Sequence, residues 1–455
     1  MRQIQPERGI AGENHNVRQL GILLLFLVIP IILFWRRDLF FIRDDWSWLL
    51  LMVDNNLWVY SLMADGEVFM PVTRFIYYIL IHLFGVNYEW LILINCLLTG
   101  LNGFLLYLIF KSHFKPNLAL ALSLLYVVAA VHSSTAQMAF YICAILCLGF
   151  FLLSLFFTQI YVRRPSTMSL LGIGLFAWLS VNSWNFSLLG IWTLPIYAAL
   201  FWRGGAKRYL LGLIAVIGLV FLGFTAEYFM FSGLAGAKSH NPQLFSQFLS
   251  SSYFAHWGVG SMLAPLYFLF RIEFRWQIKV VIGLAIFLST IGLIMRAGNP
   301  SEKKLCLWAI LVNALPFSLV SLARHHFHFG QAFTDRYGIF TIIGALFLLG
   351  ATWQIIADKL PARLSTHVVL PLLILAAMIG VQVHSLPIST RLYLELSQEA
   401  KFRYHNLSDD EVRAKLSAAA EKNRLFFNQN QPFPVHPSLN NGQAVSIYRY
   451  LSGLQ

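Results

Sequence analysis

Apolar residues in this chain come in long, nearly unbroken runs separated by short polar breaks. The runs cover residues 20–35, 88–110, 118–132, 138–161, 168–183, 186–202, 209–231, 280–295, 304–322, 337–356 and 367–386. An α-helix rises about 1.5 Å per residue, so roughly 20 apolar residues, sometimes about 17, cross the hydrocarbon core of a bilayer. The pattern therefore predicts an all-α, polytopic transmembrane helix bundle of about eleven spans. Two further apolar stretches, 75–84 and 257–270, are short for a span and read as re-entrant or interface-lying helices.

The polar breaks carry a sidedness. With Arg2, Arg8 and Arg18 on the cytoplasmic side and the two short stretches not crossing, the basic loops all fall on that same side. They hold Lys111 and Lys115; Arg163 and Arg164; Arg203, Lys207 and Arg208; Arg296, Lys303 and Lys304; Lys359 and Arg363. This is the distribution that the excess of Lys and Arg in cytoplasmic loops produces. A crossing by 257–270 alone would split the later basic loops between the two sides. Eleven crossings, with the two termini on opposite sides, satisfy the rule. Residues 1–386 then form one membrane domain with outer-face loops 36–87 and 232–279, and 387–455 a small polar C-terminal non-cytoplasmic segment. Ser408 and Glu411 have capping-box spacing in that segment, and Pro432, Pro434 and Pro437 end its regular structure.

Composition agrees with lipid as the solvent. Hydrophobic residues make up 58% of the chain and charged residues 12%, about half the usual charged share of a soluble domain. The net charge of +13 sits mostly in the short loops, so it reads as topology and lipid attraction, not nucleic-acid binding. Cys96, Cys143, Cys147 and Cys306 lie in or beside apolar runs and read as buried thiols without a disulfide framework. No small-residue cleavage site separates run 20–35 from Arg36, so a retained first helix is expected.

Candidate chemistry collects on the non-cytoplasmic side. Asp44 and Asp45 follow Arg43 just after the first run, among Phe40, Phe41, Trp46 and Trp48. A carboxylate against an apolar aromatic wall can act as a base; equally, Asp44 can cap a helix over 46–53. Asp335, Arg336 and Tyr337 open a late span, where a guanidinium suits a phosphate ligand or an interfacial anchor. Arg324, His325, His326 and His328 stand in the preceding loop, with no further metal ligands beside them. Glu67 to Arg74, with Pro71, and the junction Asn182 to Asn185 complete the set. Together they predict a cavity at the outer interface, lined by carboxylates, arginines and aromatics, suited to a lipid-phosphate ligand.

These residues resemble the GT-C superfamily of membrane glycosyltransferases, in particular protein O-mannosyltransferases and aminoarabinose transferases. Phe41 to Trp46 resembles the family's first-loop acidic motif. Gly66 to Pro71, Gly85-Val86-Asn87 and Asn95 resemble the stretch that follows it. Ser183-Trp184-Asn185 through Pro195 resembles the outer junction before a Pro-containing helix, and Thr334 to Tyr337 the late motif whose Arg lies near a carrier phosphate. Met70, Trp184 and Asn185 depart from the family's usual Arg, Lys and Glu.

The resemblance implies an inverting glycosyltransferase in the cell envelope, set in the bacterial inner membrane with its site facing the periplasm or exterior. Its partners would be a polyprenyl-phosphate-linked sugar donor, a glycan, lipid or protein acceptor and the lipid bilayer, with no nucleic acid. No cofactor is required; a divalent metal is possible but not indicated. Asp44 or Asp45 would be catalytic. Arg43, Glu67, Arg74, Asn185, Arg324, His325, His326, Asp335, Arg336 and Tyr337 would bind substrate. The alternative is a transporter or flippase of a lipid-linked sugar, for which the chain lacks a clear internal repeat or charged mid-membrane helices.

Overall fold

The structure, a computed structural model, describes residues 10–36, 39, 44–53, 55–63, 68–85, 87–129, 131–202, 207–232, 250–265, 276–324, 335–359, 376 and 379–380. The tail 387–455, most of the run 367–386 and most of the loop 232–279 lie outside this set.

Helices build the described chain: α1 (Ile10–Phe34), α2 (Asp44–Val53), α3 (Leu57–Leu62), α4 (Pro71–Phe84), α5 (Tyr88–Phe110), α6 (Pro116–Val128), α7 (His132–Thr135), α8 (Ile142–Arg163), α9 (Thr167–Ser183), α10 (Thr193–Phe201), α11 (Lys207–Ser232), α12 (Ser251–Gly258), α13 (Trp276–Ala297), α14 (Pro300–Arg324) and α15 (Asp335–Lys359). Their starts follow local rules. Proline occupies the first turn of α4 and α6, where its missing N–H costs nothing. Ser166 caps α9 by accepting from the Ser169 N–H, and Asn299 and Glu302 exchange side-chain-to-backbone hydrogen bonds at the start of α14.

Seven of these helices are long and apolar enough to cross a membrane, which makes the chain a multi-pass integral membrane protein. Four shorter apolar helices accompany them: Pro71–Phe84, Pro116–Val128, Thr167–Ser183 and Asn185–Phe201. The run 118–132 does not continue as one helix. α6 stops at Val128, because the polar stretch from His132 to Gln137 folds into the bundle and forms its own short turn. Likewise 186–202 opens with two 3₁₀ turns before α10 begins. At 14 residues, α4 rises about 21 Å, short of the roughly 30 Å of hydrocarbon.

Burial separates an inner layer from an outer one. In α8 and α15, 67% and 72% of the apolar window is buried in protein; in α1, α11 and α13 only 17%, 22% and 17% is. The inner helices carry interior polar groups, several of them bonded across helices. Asn102 donates to the Ile145 carbonyl, Ser154 to the Ile173 carbonyl and the Trp308 indole to the Thr193 carbonyl. In a medium that offers no water, such bonds fix which faces meet. Small residues let backbones close in: a Cβ on Gly100 would strike the Phe26 carbonyl oxygen of α1. The thiols of Cys96, Cys143, Cys147 and Cys306 are all buried.

The basic helix ends gather at one end of the bundle. Lys115, before α6, lies 4.0 Å from Asp358 near the end of α15, and the Tyr161 hydroxyl near the end of α8 donates to the Tyr209 carbonyl at the start of α11.

Candidate active site

The opposite end holds the acidic pair. α2 begins at Asp44, so both residues of the pair belong to its first turn. Asp45 is fully buried. Its Oδ2 accepts from the Tyr88 hydroxyl at 2.8 Å and its Oδ1 from the Phe140 N–H at 2.6 Å. Tyr88 is itself fixed: its oxygen accepts from the Ala139 N–H at 2.9 Å and lies 3.1 Å from the Gln137 carbonyl. The first turn of α2 is thus pinned to the start of α5 and to the buried segment ahead of α8.

Aromatic rings close around this anchor. Trp48 meets Tyr77 edge-on at 5.2 Å and Phe140 at 4.6 Å. Tyr77 lies on α4, its hydroxyl buried and without a hydrogen-bond partner among the described residues. Burial raises the Tyr77 phenol well above its ordinary pKa, and the charges of Asp45 and then Tyr60 add to the shift. The hydroxyl therefore keeps its proton beside the carboxylate.

Arg74 is fully buried, not displayed at the surface. Its Nη1 donates to the Met63 carbonyl at 2.6 Å and the Tyr60 carbonyl at 3.4 Å, a cation at the C-terminal end of α3. The guanidinium lies 5.8 Å from the Trp48 ring centre and 5.7 Å from that of Tyr60, within cation–π range. Next to it, the Thr73 hydroxyl donates to the Ser183 carbonyl at 2.7 Å. That bond ties α4 to the junction after α9. There Trp184 stacks on Phe186 at 5.0 Å and on Tyr337 at 5.8 Å, with planes 15° apart. Asn185 opens the 3₁₀ turn in the same junction.

Contacts therefore lead from Asp45 through Phe140 to Trp48, and from Trp48 to Tyr77 and Arg74 on α4; Thr73 of the same helix joins Ser183, and Trp184 meets Tyr337, whose helix opens with Asp335 and Arg336. Sequence features far apart meet at one end of the bundle. The side chains of Asp44, Arg324, Asp335 and Arg336 lie outside the described set, as do residues Arg43, Glu67, His325, His326 and His328 entirely. Sequence reasoning missed Tyr88, Tyr77 and the segment from His132 to Tyr141. A signal existed: His132, Ser133, Ser134, Thr135 and Gln137 interrupt two apolar runs, and all five are buried.

Comparison with solved structures finds the same fold. The apo form of the oligosaccharyltransferase of Archaeoglobus fulgidus superposes with a TM-score of 0.50 at 13% identity, over 93% of this chain and 60% of that one. Two more structures of that protein are similar. One is tethered to an acceptor peptide containing an NVT sequon (TM-score 0.47, 13% identity, 93% and 60% covered), the other holds an inhibitory peptide and a dolichol-phosphate (0.46, 13%, 94% and 61%). The likeness is one of fold: a polytopic helical architecture. The chain spans about 60% of the length of the structure it matches. No protein-family model matches the sequence, and no curated protein matches it either.

Proposed function

We propose that the chain is an inverting membrane glycosyltransferase that moves a sugar from a polyprenyl-phosphate carrier to an acceptor hydroxyl on a glycan, lipid or protein. The observation that carries this reading is the anchored acidic pair at one membrane face. Asp45 accepts hydrogen bonds on both oxygens from Tyr88 and Phe140. It sets the position of α2, and Asp44, one residue earlier and about 100° around the helix axis, is the base. Asp44 takes the proton of the acceptor hydroxyl as its oxygen attacks the anomeric carbon from the face opposite the phosphate. The C–O bond to the carrier breaks and the electron pair leaves with the polyprenyl phosphate. Arg336, at the first turn of α15, neutralises the charge that develops there. Tyr337 and Trp184 hold that turn against α4. The fold shared with an oligosaccharyltransferase supports the reading, and the site faces the periplasm or exterior in the proposed topology.

The test reconstitutes the full chain in proteoliposomes with a panel of radiolabelled polyprenyl-phosphate pentoses and hexoses and follows release of polyprenyl phosphate. Wild type is expected to turn over at least one donor, and Asp44→Asn to lose about 10²-fold or more, the usual contribution of a general base. Donor that crosses the bilayer intact, with no carrier released, would instead identify a flippase. Full activity in Asp44→Asn would remove the assigned base.

A further inference from the structure

The basic end of the bundle, opposite the acidic pair, contains a second site. Ser112, His113, Gln159, Arg163, Tyr197 and Ser301 line a cavity of about 630 Å³ there, within the roughly 300–1,000 Å³ of small-molecule pockets. It opens where the C-terminal ends of α5, α8 and α10 meet the start of α14. Tyr88, at the first residue of α5, touches Asp45; the cavity begins beyond the last residue of α5. The 23 residues between rise about 35 Å, so the two sites are separate.

The lining has one chemical character. It contains no Asp or Glu among the described residues, and Arg163 is its one charged side chain there. Arg163 is exposed and makes no ion pair among the described residues. Ser301 stands on the lining in the first turn of α14, next to the capping pair Asn299 and Glu302. The His113 Nε2 lies 2.8 Å from the Tyr197 oxygen and 3.3 Å from the Gln159 amide nitrogen. An amide nitrogen only donates, so Nε2 accepts and Nδ1 carries the proton. Burial, with the Arg163 charge adding to it, pushes the His113 pKa down to about 4, so the ring is a neutral donor at pH 7. Phe201 and Trp202 supply an apolar wall. Arg164, Lys303 and Lys304 extend the positive charge beyond the rim.

We propose that this cavity binds a phosphate monoester with an apolar body, through Arg163 and the His113 ring, at the membrane face opposite the candidate active site. Paired donors from a guanidinium match two phosphate oxygens. The aromatic wall takes the ester's apolar part. The carrier is either a lipid headgroup entering from the bilayer or a soluble phosphate ester entering from water.

The experiment uses the full chain in a neutral detergent with Ser301→Cys. The native cysteines are all buried, so the introduced thiol reports the cavity through its rate of reaction with a maleimide. Dihexanoyl phosphatidic acid, phenyl phosphate and dihexanoyl phosphatidylcholine are titrated separately. Protection by phosphatidic acid alone assigns the lipid source; protection by phenyl phosphate as well assigns the soluble one. Adding Arg163→Gln is expected to raise the half-protecting concentration at least about tenfold, the loss of one charge-assisted contact. Absence of protection by both monoesters, equal protection by phosphatidylcholine, or protection indifferent to Arg163→Gln would each overturn the proposal. Native mass spectrometry of the chain without the introduced thiol gives a second reading. Arg163→Gln should bind one phosphatidic acid fewer than wild type, and an equal count overturns the proposal as well.

Discussion

Asp45→Asn separates the two roles assigned to the acidic pair, because the hydrogen bonds around position 45 allow the amide to fit. Its oxygen can keep the Phe140 N–H, now at 2.6 Å from Oδ1. Its NH₂ can then donate to the Tyr88 oxygen, and the Tyr88 proton turns to the Gln137 carbonyl, already 3.1 Å away. Among the hydrogen bonds of the described residues, none of these groups is orphaned. What is lost is the charge on the acceptor: two bonds fall from about 1.5–3 kcal/mol each, the range for charged partners, to about 0.5–1.5. The net cost is about 2 kcal/mol of stability. Asp45→Ala differs, since it strands the Phe140 N–H and leaves a cavity, and should cost about 3–5 kcal/mol. Unfolding in a fixed detergent, alongside carrier release from a lipid-linked sugar donor, reads both quantities. The expected pattern is a folded Asp45→Asn protein with transfer reduced about tenfold or less, and a folded Asp44→Asn protein with transfer lost. Abolished transfer in Asp45→Asn at unchanged stability, with Asp44→Asn active, would refute the reasoning and make Asp45 the base.

Gly100→Ala should destabilise the chain by about 1–3 kcal/mol, because the new methyl meets the Phe26 carbonyl and lies 3.0 Å from the Leu27 Cα of α1. Gly21→Ala, with nothing within 4 Å, should be neutral or stabilising by up to about 1 kcal/mol; thermal unfolding of the two side by side checks the pair. Arg74→Met should cost about 2–4 kcal/mol, since it removes the donor to the Met63 and Tyr60 carbonyls, and proteolysis within 55–70 reports the loosened α3–α4 unit. Stability should fall as pH drops from about 6.5 towards 4. His113 has a lowered pKa of about 4 in the folded chain, against roughly 6.5 unfolded, so the unfolded state takes the proton first. His113→Gln should flatten that part of the pH profile. Maleimide should label the native chain negligibly and label all four cysteines after denaturation; rapid labelling of the folded protein would contradict the packing of α5, α8 and α14.

Much of this protein is written in its one-dimensional pattern. Long apolar runs demand helices, since a backbone in lipid must satisfy its own hydrogen bonds. The clustering of Lys and Arg in alternate breaks assigned one face to the basic loops, and the described structure does join Lys115 to the end of α15 there. The same alternation put Asp44, Asp45, Arg74, Asn185 and Tyr337 on the other face, and contacts from Asp45 to Tyr337 run along it. Run length alone did not separate a crossing helix from one that stops inside protein. α6 ends at Val128 because His132 to Gln137 find partners and burial in the bundle, a fact of packing that no local window contains.

Side-chain fate was also tertiary. Arg74 at a helix start reads in sequence as a substrate-binding group; in the fold its guanidinium donates to the carbonyls that end α3 and lies over the rings of Trp48 and Tyr60. Two adjacent aspartates are equivalent in sequence. The start of α5 and the chain before α8 close on the Asp45 carboxylate. The sequence by itself determined the helices, their solvent and the two faces of the bundle, because those follow from period, run length and charge. Only the tertiary structure decided which polar groups are held and which meet, because hydrogen bonds between residues 45, 88 and 140 exist once three helices have packed and not before.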